Sequence, residues 1–170
     1  MSDLHVRLAT TNDVPHLADV ELAAAVLFPA GRIPDPDQVT AESELAEACA
    51  EGLLFVADRD GVPVGFATCS VEGAYLHLDE LAVHPDHGRR GLGRRLVAAV
   101  IDAAAQRRLD GVSLTTFADL PWNGPFYAGM GFRTLADAEL NDFLRDVLAL
   151  ERRKGLTQRV AMVRPTGMAA

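Results

Sequence analysis

Two apolar, β-branched runs, Leu53 to Asp58 and Val62 to Val71, are separated only by Arg59, Asp60 and Gly61. An Asp-Gly pair between two such runs supplies the positive backbone angles of a tight hairpin turn, so the chain is committed to an antiparallel pair here. A third run, Tyr75 to Val83, follows Gly73 and is closed by Pro85. Three consecutive strands are therefore expected here, within a mixed, mainly antiparallel sheet. Everything else in the chain is arranged around that seed.

Before it, Leu4, Val6 and Leu8 alternate with His5 and Arg7, which predicts a strand from Asp3 to Ala9. Asn12 and Asp13 then open a helix expected to run to about Leu27, and Thr40 is expected to cap a second helix through Glu51, ended by Gly52. Between them, Pro29 to Pro36 holds three prolines and a glycine, which forces a loop. After the seed, a glycine-rich turn feeds a helix with Leu92, Leu96, Val97, Val100, Ile101 and Ala104 on one face. A strand over Val112 to Phe117, a short helix over Trp122 to Ala128 and a strand over Gly131 to Leu135 follow. Leu140, Phe143, Leu144, Val147 and Leu148 recur with helical period, predicting a helix from Ala138 to Arg153 stopped by Gly155. Gln158 to Arg164 is the final strand. This order gives an α+β fold, a mixed and mainly antiparallel central sheet flanked by helices, in one domain over residues 1–165 with a flexible tail at 166–170.

With 170 residues, 49% of them apolar, the chain can bury a core of one domain. No apolar stretch exceeds Leu22 to Phe28, far too short to span a bilayer, and the opening residues lack the apolar core of a secretory signal, so no membrane partner is expected. Its 16 basic against 24 acidic residues give a charge of −8, which argues against nucleic-acid binding. Cys49 and Cys69 carry no ligand spacing and read as free thiols of a reducing compartment, the cytoplasm.

The chemistry centres on His84 to Leu96, HPDHGRRGLGRRL, between a strand and the first turn of a helix. Amides of that turn lack helical partners and sit at the positive end of the macrodipole, so they suit a phosphate. Gly88, Gly91 and Gly93 clear the approach, and Arg89, Arg90, Arg94 and Arg95 add charge. The P-loop lysine and hydroxyl are missing, and Leu96 stands where a dinucleotide fingerprint needs its last glycine, so ATP and NAD lose ground. His84 and His87 form an HxxH pair without a third ligand, and no metal is expected.

Leu81 to Leu96, LAVHPDHGRRGLGRRL, resembles the acetyl-CoA-binding signature Q/R-x-x-G-x-G/A of the GNAT superfamily of N-acetyltransferases, and Asn123 to Phe132, NGPFYAGMGF, resembles that superfamily's second signature. The element order over Asp3 to Arg164 is similar as well. One position departs: the usual Gln or Arg is Gly88, which keeps its amide but offers no side chain. The resemblance implies acetyl-CoA as acyl donor, held by the turn Gly88, Arg89, Arg90, Gly91, Leu92, Gly93 and Arg94. By the same resemblance Leu81, Ala82 and Val83 lie along the pantetheine arm and Asn123 contacts the cofactor. Tyr127 matches the tyrosine beside the CoA sulfur and is expected to act as general acid, since a phenol with pKa near ~10 is protonated at neutral pH.

For the base, strand alternation places His77 and Asp79 on one side and Glu80 on the other. His77 sits where arylalkylamine acetyltransferases, a similar branch, carry a histidine, and Asp79 replaces their second one. A carboxylate near Glu80 is common in the superfamily, so His77, Asp79 and Glu80 all remain candidates. The loop after the first helix lies over the acceptor in this family, which makes Phe28, Arg32 and Ile33 expected acceptor contacts, with Glu21, Asp35 and Asp37 as nearby carboxylates. The expected function is transfer of an acetyl group from acetyl-CoA to a primary amine by direct attack in a ternary complex. The expected partners are acetyl-CoA and an amine-bearing small molecule or peptide, with a homodimer allowed. The alternative is a non-catalytic acyl-CoA sensor or interaction module that keeps the turn.

Overall fold

The computed structural model describes residues 4–167. Seven strands, β1 (Leu4–Leu8), β2 (Leu54–Arg59), β3 (Val62–Glu72), β4 (Tyr75–Val83), β5 (Gly111–Phe117), β6 (Arg133–Thr134) and β7 (Arg159–Pro165), form one sheet in the order β1-β2-β3-β4-β5-β7-β6. All neighbours are antiparallel except β4 and β5. The helices are α1 (Leu17–Ala25), α2 (Glu42–Ala50), α3 (Leu92–Gln106), α4 (Gly124–Ala128) and α5 (Asp142–Arg153). The α+β reading with a mixed, mainly antiparallel sheet therefore holds.

At the seed hairpin Asp60 and Gly61 both have positive φ, 53° and 87°, the geometry the Asp-Gly pair was read to supply. A Cβ on Gly65 of β3 would lie 3.4 Å from Leu96 of α3, so α3 covers the face of the odd-numbered β3 positions. Glu80, paired with even-numbered Thr68, shares its cavity with Glu21 of α1, which therefore lies on the opposite face. The core between these layers is built from side chains such as Leu17, Leu45, Val56, Phe66, Leu96 and Val100, each fully enclosed.

Several boundaries differ from expectation. The first helix begins as a 3₁₀ turn, Val14–His16, and ends at Ala25 rather than Leu27. Thr40 does not cap α2; its amide and hydroxyl both donate to the Glu21 carboxylate, at 2.9 and 3.2 Å, tying the loop to α1. The long C-terminal helix splits into a 3₁₀ turn, Asp137–Glu139, and α5, because Asn141 accepts from the Leu144 amide at 2.8 Å and starts a new helix. The expected start of the first strand at Asp3 lies outside the described residues. Pro165 ends β7; of the expected tail, Thr166 is held, its amide donating to the Asp110 carbonyl and its hydroxyl to that of Leu109, and residues 168–170 lie outside the described part.

Two irregularities interrupt the sheet. The parallel ladder between β4 and β5 registers only Tyr75 to His77 against Gly111 to Ser113, although both strands continue, to Val83 and Phe117. The pairing of β3 with β4 runs Cys69 opposite Leu78 and then Thr68 opposite Glu80, so Asp79 is an extra residue, a bulge on β4. Bulges bend and twist a strand, and here the bend comes just where β4 leaves β5. The sheet is split open between them.

Candidate active site

At the mouth of α3, Gly91 takes φ 75° and the first helical bond runs from the Arg95 amide to the Gly91 carbonyl at 3.0 Å. The amides of Leu92, Gly93 and Arg94 have no acceptor inside the helix and point out of its positive end. A cleft of about 460 Å³ opens beside them, lined by Leu81, Ala82, Val83, His87, Gly88, Arg89, Gly91, Leu92, Gly93, Arg94, Trp122, Asn123, Phe126 and Tyr127. Ten of the eleven residues expected to bind the donor are thus brought together; Arg90 is the one that does not line the cleft. The side-chain oxygen of Asn123 and the Nδ1 of His87 are buried there without a hydrogen-bond partner, which fits a ligand carrying amide and phosphate groups.

On the far side of the split lies a second cavity of about 250 Å³. Tyr127, Asn123, Leu81, Ala82, Phe28 and Ala24 line both, so the two spaces meet at Tyr127. Tyr127 is itself buried, packed edge-on against Phe126 and Phe132. Burial, reinforced by the nearby Glu80 charge, pushes its phenol well above the ordinary tyrosine range, so it holds its proton.

Glu80 faces this second cavity, as do Asp79 and Glu21. Burial and the Glu21 charge push Glu80 up to about 8, against the Leu81 amide, which donates to it at 3.2 Å. Asp79, more open to water at the rim, is pushed up to about 6 by burial, while the Ser70 hydroxyl donating at 3.2 Å opposes the shift. Burial also raises Glu21, against the two donors of Thr40. The cation of this cavity, Arg159, is held by Glu151 at 2.9 and 3.0 Å.

The strand-phase expectation is corrected here. The bulge at Asp79 brings Glu80 opposite Thr68, two positions from Ser70, which pairs with His77, so Glu80 and His77 share a face instead of opposing each other. His77 is nevertheless no part of the cavity: it is 4% exposed, its Nδ1 lies 3.0 Å from the Ser113 hydroxyl, and Phe143 of α5 stands edge-on over its ring at 4.9 Å. Burial lowers its pKa to about 4, so it stays neutral in the core. Of the acceptor contacts, Phe28 and Ile33 line the cavity; Arg32 does not, but pairs with Asp119 at 2.7 and 2.9 Å and lies 4.6 Å over the Phe117 ring. Arg159 and Phe117 were not anticipated as site residues; a lone arginine opening the apolar strand Val160 to Val163 was the available signal. Among the described residues no group of three or more His, Cys, Asp or Glu side chains converges as a metal-ligand set. None of the described helices is long and apolar enough to cross a membrane.

Residues 21–132 match the family model described as Acetyltransferase (GNAT) family. Among curated proteins, a mycothiol acetyltransferase of Clavibacter michiganensis is 41% identical over 87 residues, 49% of this chain and 28% of that protein. Another from Stackebrandtia nassauensis is 29% identical over 112 residues, 66% of this chain and 33% of that one. The chain thus spans about a third or less of the length of these relatives. Among solved structures, N-acetylglutamate synthase from Neisseria gonorrhoeae, complexed with coenzyme A and N-acetyl-glutamate, superposes with a TM-score of 0.74 at 21% identity, covering 99% of this chain and 36% of that one. PaiA N-acetyltransferase from Thermoplasma acidophilum, in complex with coenzyme A, gives 0.72 at 14%, covering 96% and 99%. With a family model matched over more than half its length, this chain belongs to the GNAT acetyltransferase family.

Proposed function

We propose that this protein transfers an acetyl group from acetyl-CoA to a primary amine by direct attack, with Tyr127 as general acid and Glu80 as general base. The observation that carries this reading is the meeting of two cavities at Tyr127, one floored by unpartnered helix amides and the other walled by a carboxylate of raised pKa. Coenzyme A presents the acetyl group as a thioester, activated toward amines. The amides of Leu92, Gly93 and Arg94 hold the diphosphate, with Arg89 and Arg94 beside it. An acceptor ammonium entering the second cavity gives one proton to Glu80, whose pKa of about 8 suits that step near neutrality. The amine nitrogen then attacks the thioester carbonyl, the carbon–sulfur bond breaks, the departing thiolate takes the Tyr127 proton, and the second proton shed by the acylated nitrogen restores the Tyr127 phenol. Glu80 replaces His77 in this role because His77 lies sealed under Phe143. No cysteine lines either cavity, which favours direct attack over an acyl-enzyme.

Trp122 is the one tryptophan of the chain and lines the donor cleft, so its fluorescence reports coenzyme A binding. The expected result is saturable quenching by coenzyme A, lost in Gly91→Asp, together with amine-dependent release of free thiol from acetyl-CoA. Quenching without thiol release for any amine would instead favour a non-catalytic acyl-CoA sensor.

A further inference from the structure

Resting on that reading, the geometry points to an acceptor that is a small molecule with two cationic nitrogens, a short aliphatic diamine or polyamine, and not a polypeptide. The first reason is the roof of the acceptor cavity. The segment between α1 and α2 lines the cavity with Ile33, Pro36 and Gln38 and touches both walls. On one side Arg32 pairs with Asp119 beyond the end of β5. On the same side Pro34 packs closely on Gly155, after α5, where a Cβ would lie 3.2 Å from the Pro34 ring, and on the α1 side Thr40 donates to Glu21 at 2.9 and 3.2 Å. A strap fixed at both ends leaves no open trough for an extended chain. The space beneath it, about 250 Å³, is smaller than the ~300 to 1,000 Å³ usual for drug-sized ligands.

The second reason is charge. Glu21, Asp79 and Glu80 line the cavity from two different elements, and the hydrogen bonds they accept come from neutral donors: Thr40, Ser70 and the Leu81 amide. The arginine among them already faces Glu151. The reacting nitrogen answers Glu80 alone, and its positive charge is gone before attack. Glu21, half-buried in the cavity, and Asp79, at its exposed rim, are left without a counter-charge, which a second, permanent ammonium on the acceptor supplies. The three carboxylates do not converge as metal ligands, so they suit an elongated organic cation with separated charges and not one ion. Apolar stretches of wall, from Ala24, Ala25, Phe28 and Leu114, suit the methylene spacer.

The test is acetyl-CoA thiol release with putrescine, butylamine, alanine and a short peptide bearing a free N-terminus. Putrescine should exceed butylamine by about 100-fold in kcat/KM, with the peptide and alanine weaker than either. Glu21→Gln, whose amide oxygen still accepts from Thr40, should cut the putrescine-over-butylamine preference by roughly tenfold, and Asp79→Asn should do likewise. Butylamine acetylated as well as putrescine, a peptide acetylated best, or a preference untouched in both variants would overturn the inference while leaving an amine acetyltransferase standing. Thiol release from none of the amines would bring down both.

Discussion

At the scale of single residues, the proposed reaction depends on two side chains whose protonation is set by burial. Tyr127 keeps its proton because it is enclosed and faces Glu80, so it stands as the neutral phenol, the form a general acid needs. Tyr127→Phe removes the donor but retains the packing on Phe126 and Phe132. Turnover should fall about 100-fold while coenzyme A affinity by calorimetry changes less than about twofold. Glu80 acts as a base only when ionised, so kcat/KM should climb with pH and level off above about 8. In Glu80→Gln the rate should be low and lose that inflection, which a pH profile with a fixed amine concentration checks. As residues lining the second cavity, Tyr127 and Glu80 were both legible, the first from the NGPFYAGMGF resemblance and the second as one of three strand candidates. That His77 is shut out of that cavity was not legible. Counting by twos along β4 assumes an unbroken ladder, and nothing in YLHLDELAV, with no glycine or proline, announces the extra residue at Asp79.

At the scale of elements, the placement of Tyr127 rests on how closely α4 starts against the end of β5. A Cβ on Gly124 would lie 2.7 Å from the Ala118 carbonyl oxygen and 3.1 Å from that of Phe117, closer than atoms tolerate. Gly124→Ala should therefore push α4 outward, costing about 1 to 3 kcal/mol in urea unfolding and lowering turnover as the phenol moves. The strands of the seed were readable because hairpin chemistry and periodicity agree there, and β4 has the bounds its apolar run predicted. Helix starts were less readable. Thr40 has the composition of a cap, yet a partner far along the chain, Glu21, takes its hydrogen bonds, and local sequence cannot register a long-range competitor. Asn141 does cap α5, but the helical period already visible at Leu140 drew the expected start too early.

At the scale of the whole molecule, an ion network fastens the first strand. Arg7 pairs with Asp13 at 2.7 Å and with Asp58 at 2.6 Å, joining β1, β2 and the turn before α1. The Arg7 hydrogen bond holds the Asp13 carboxyl down at about 2. Asp13→Ala leaves Arg7 short of a partner and should cost about 3 kcal/mol in denaturant unfolding. Because Asp13 is depressed in the folded state, its stabilisation is present above its ordinary value of 3.8 and is lost as pH falls through about 2. Glu80 and Asp79 act in the opposite sense: both are raised on folding, so stability drains away as pH rises from about 4 toward 8. The melting temperature should accordingly decline between about pH 4 and pH 8, and Glu80→Gln should flatten that decline. The layered architecture was legible from element order alone, whereas the strap over the second cavity was not, because Arg32–Asp119 and Pro34–Gly155 join segments whose proximity only the folded chain creates.

The supernumerary Asp79 links these scales. Deleting it would let Leu78 and Glu80 follow each other in an unkinked strand, and hydrogen bonding to β5 could then run on past Ser113. The doorway guarded by Tyr127 would be sewn shut, giving a tidier sheet with no way through it.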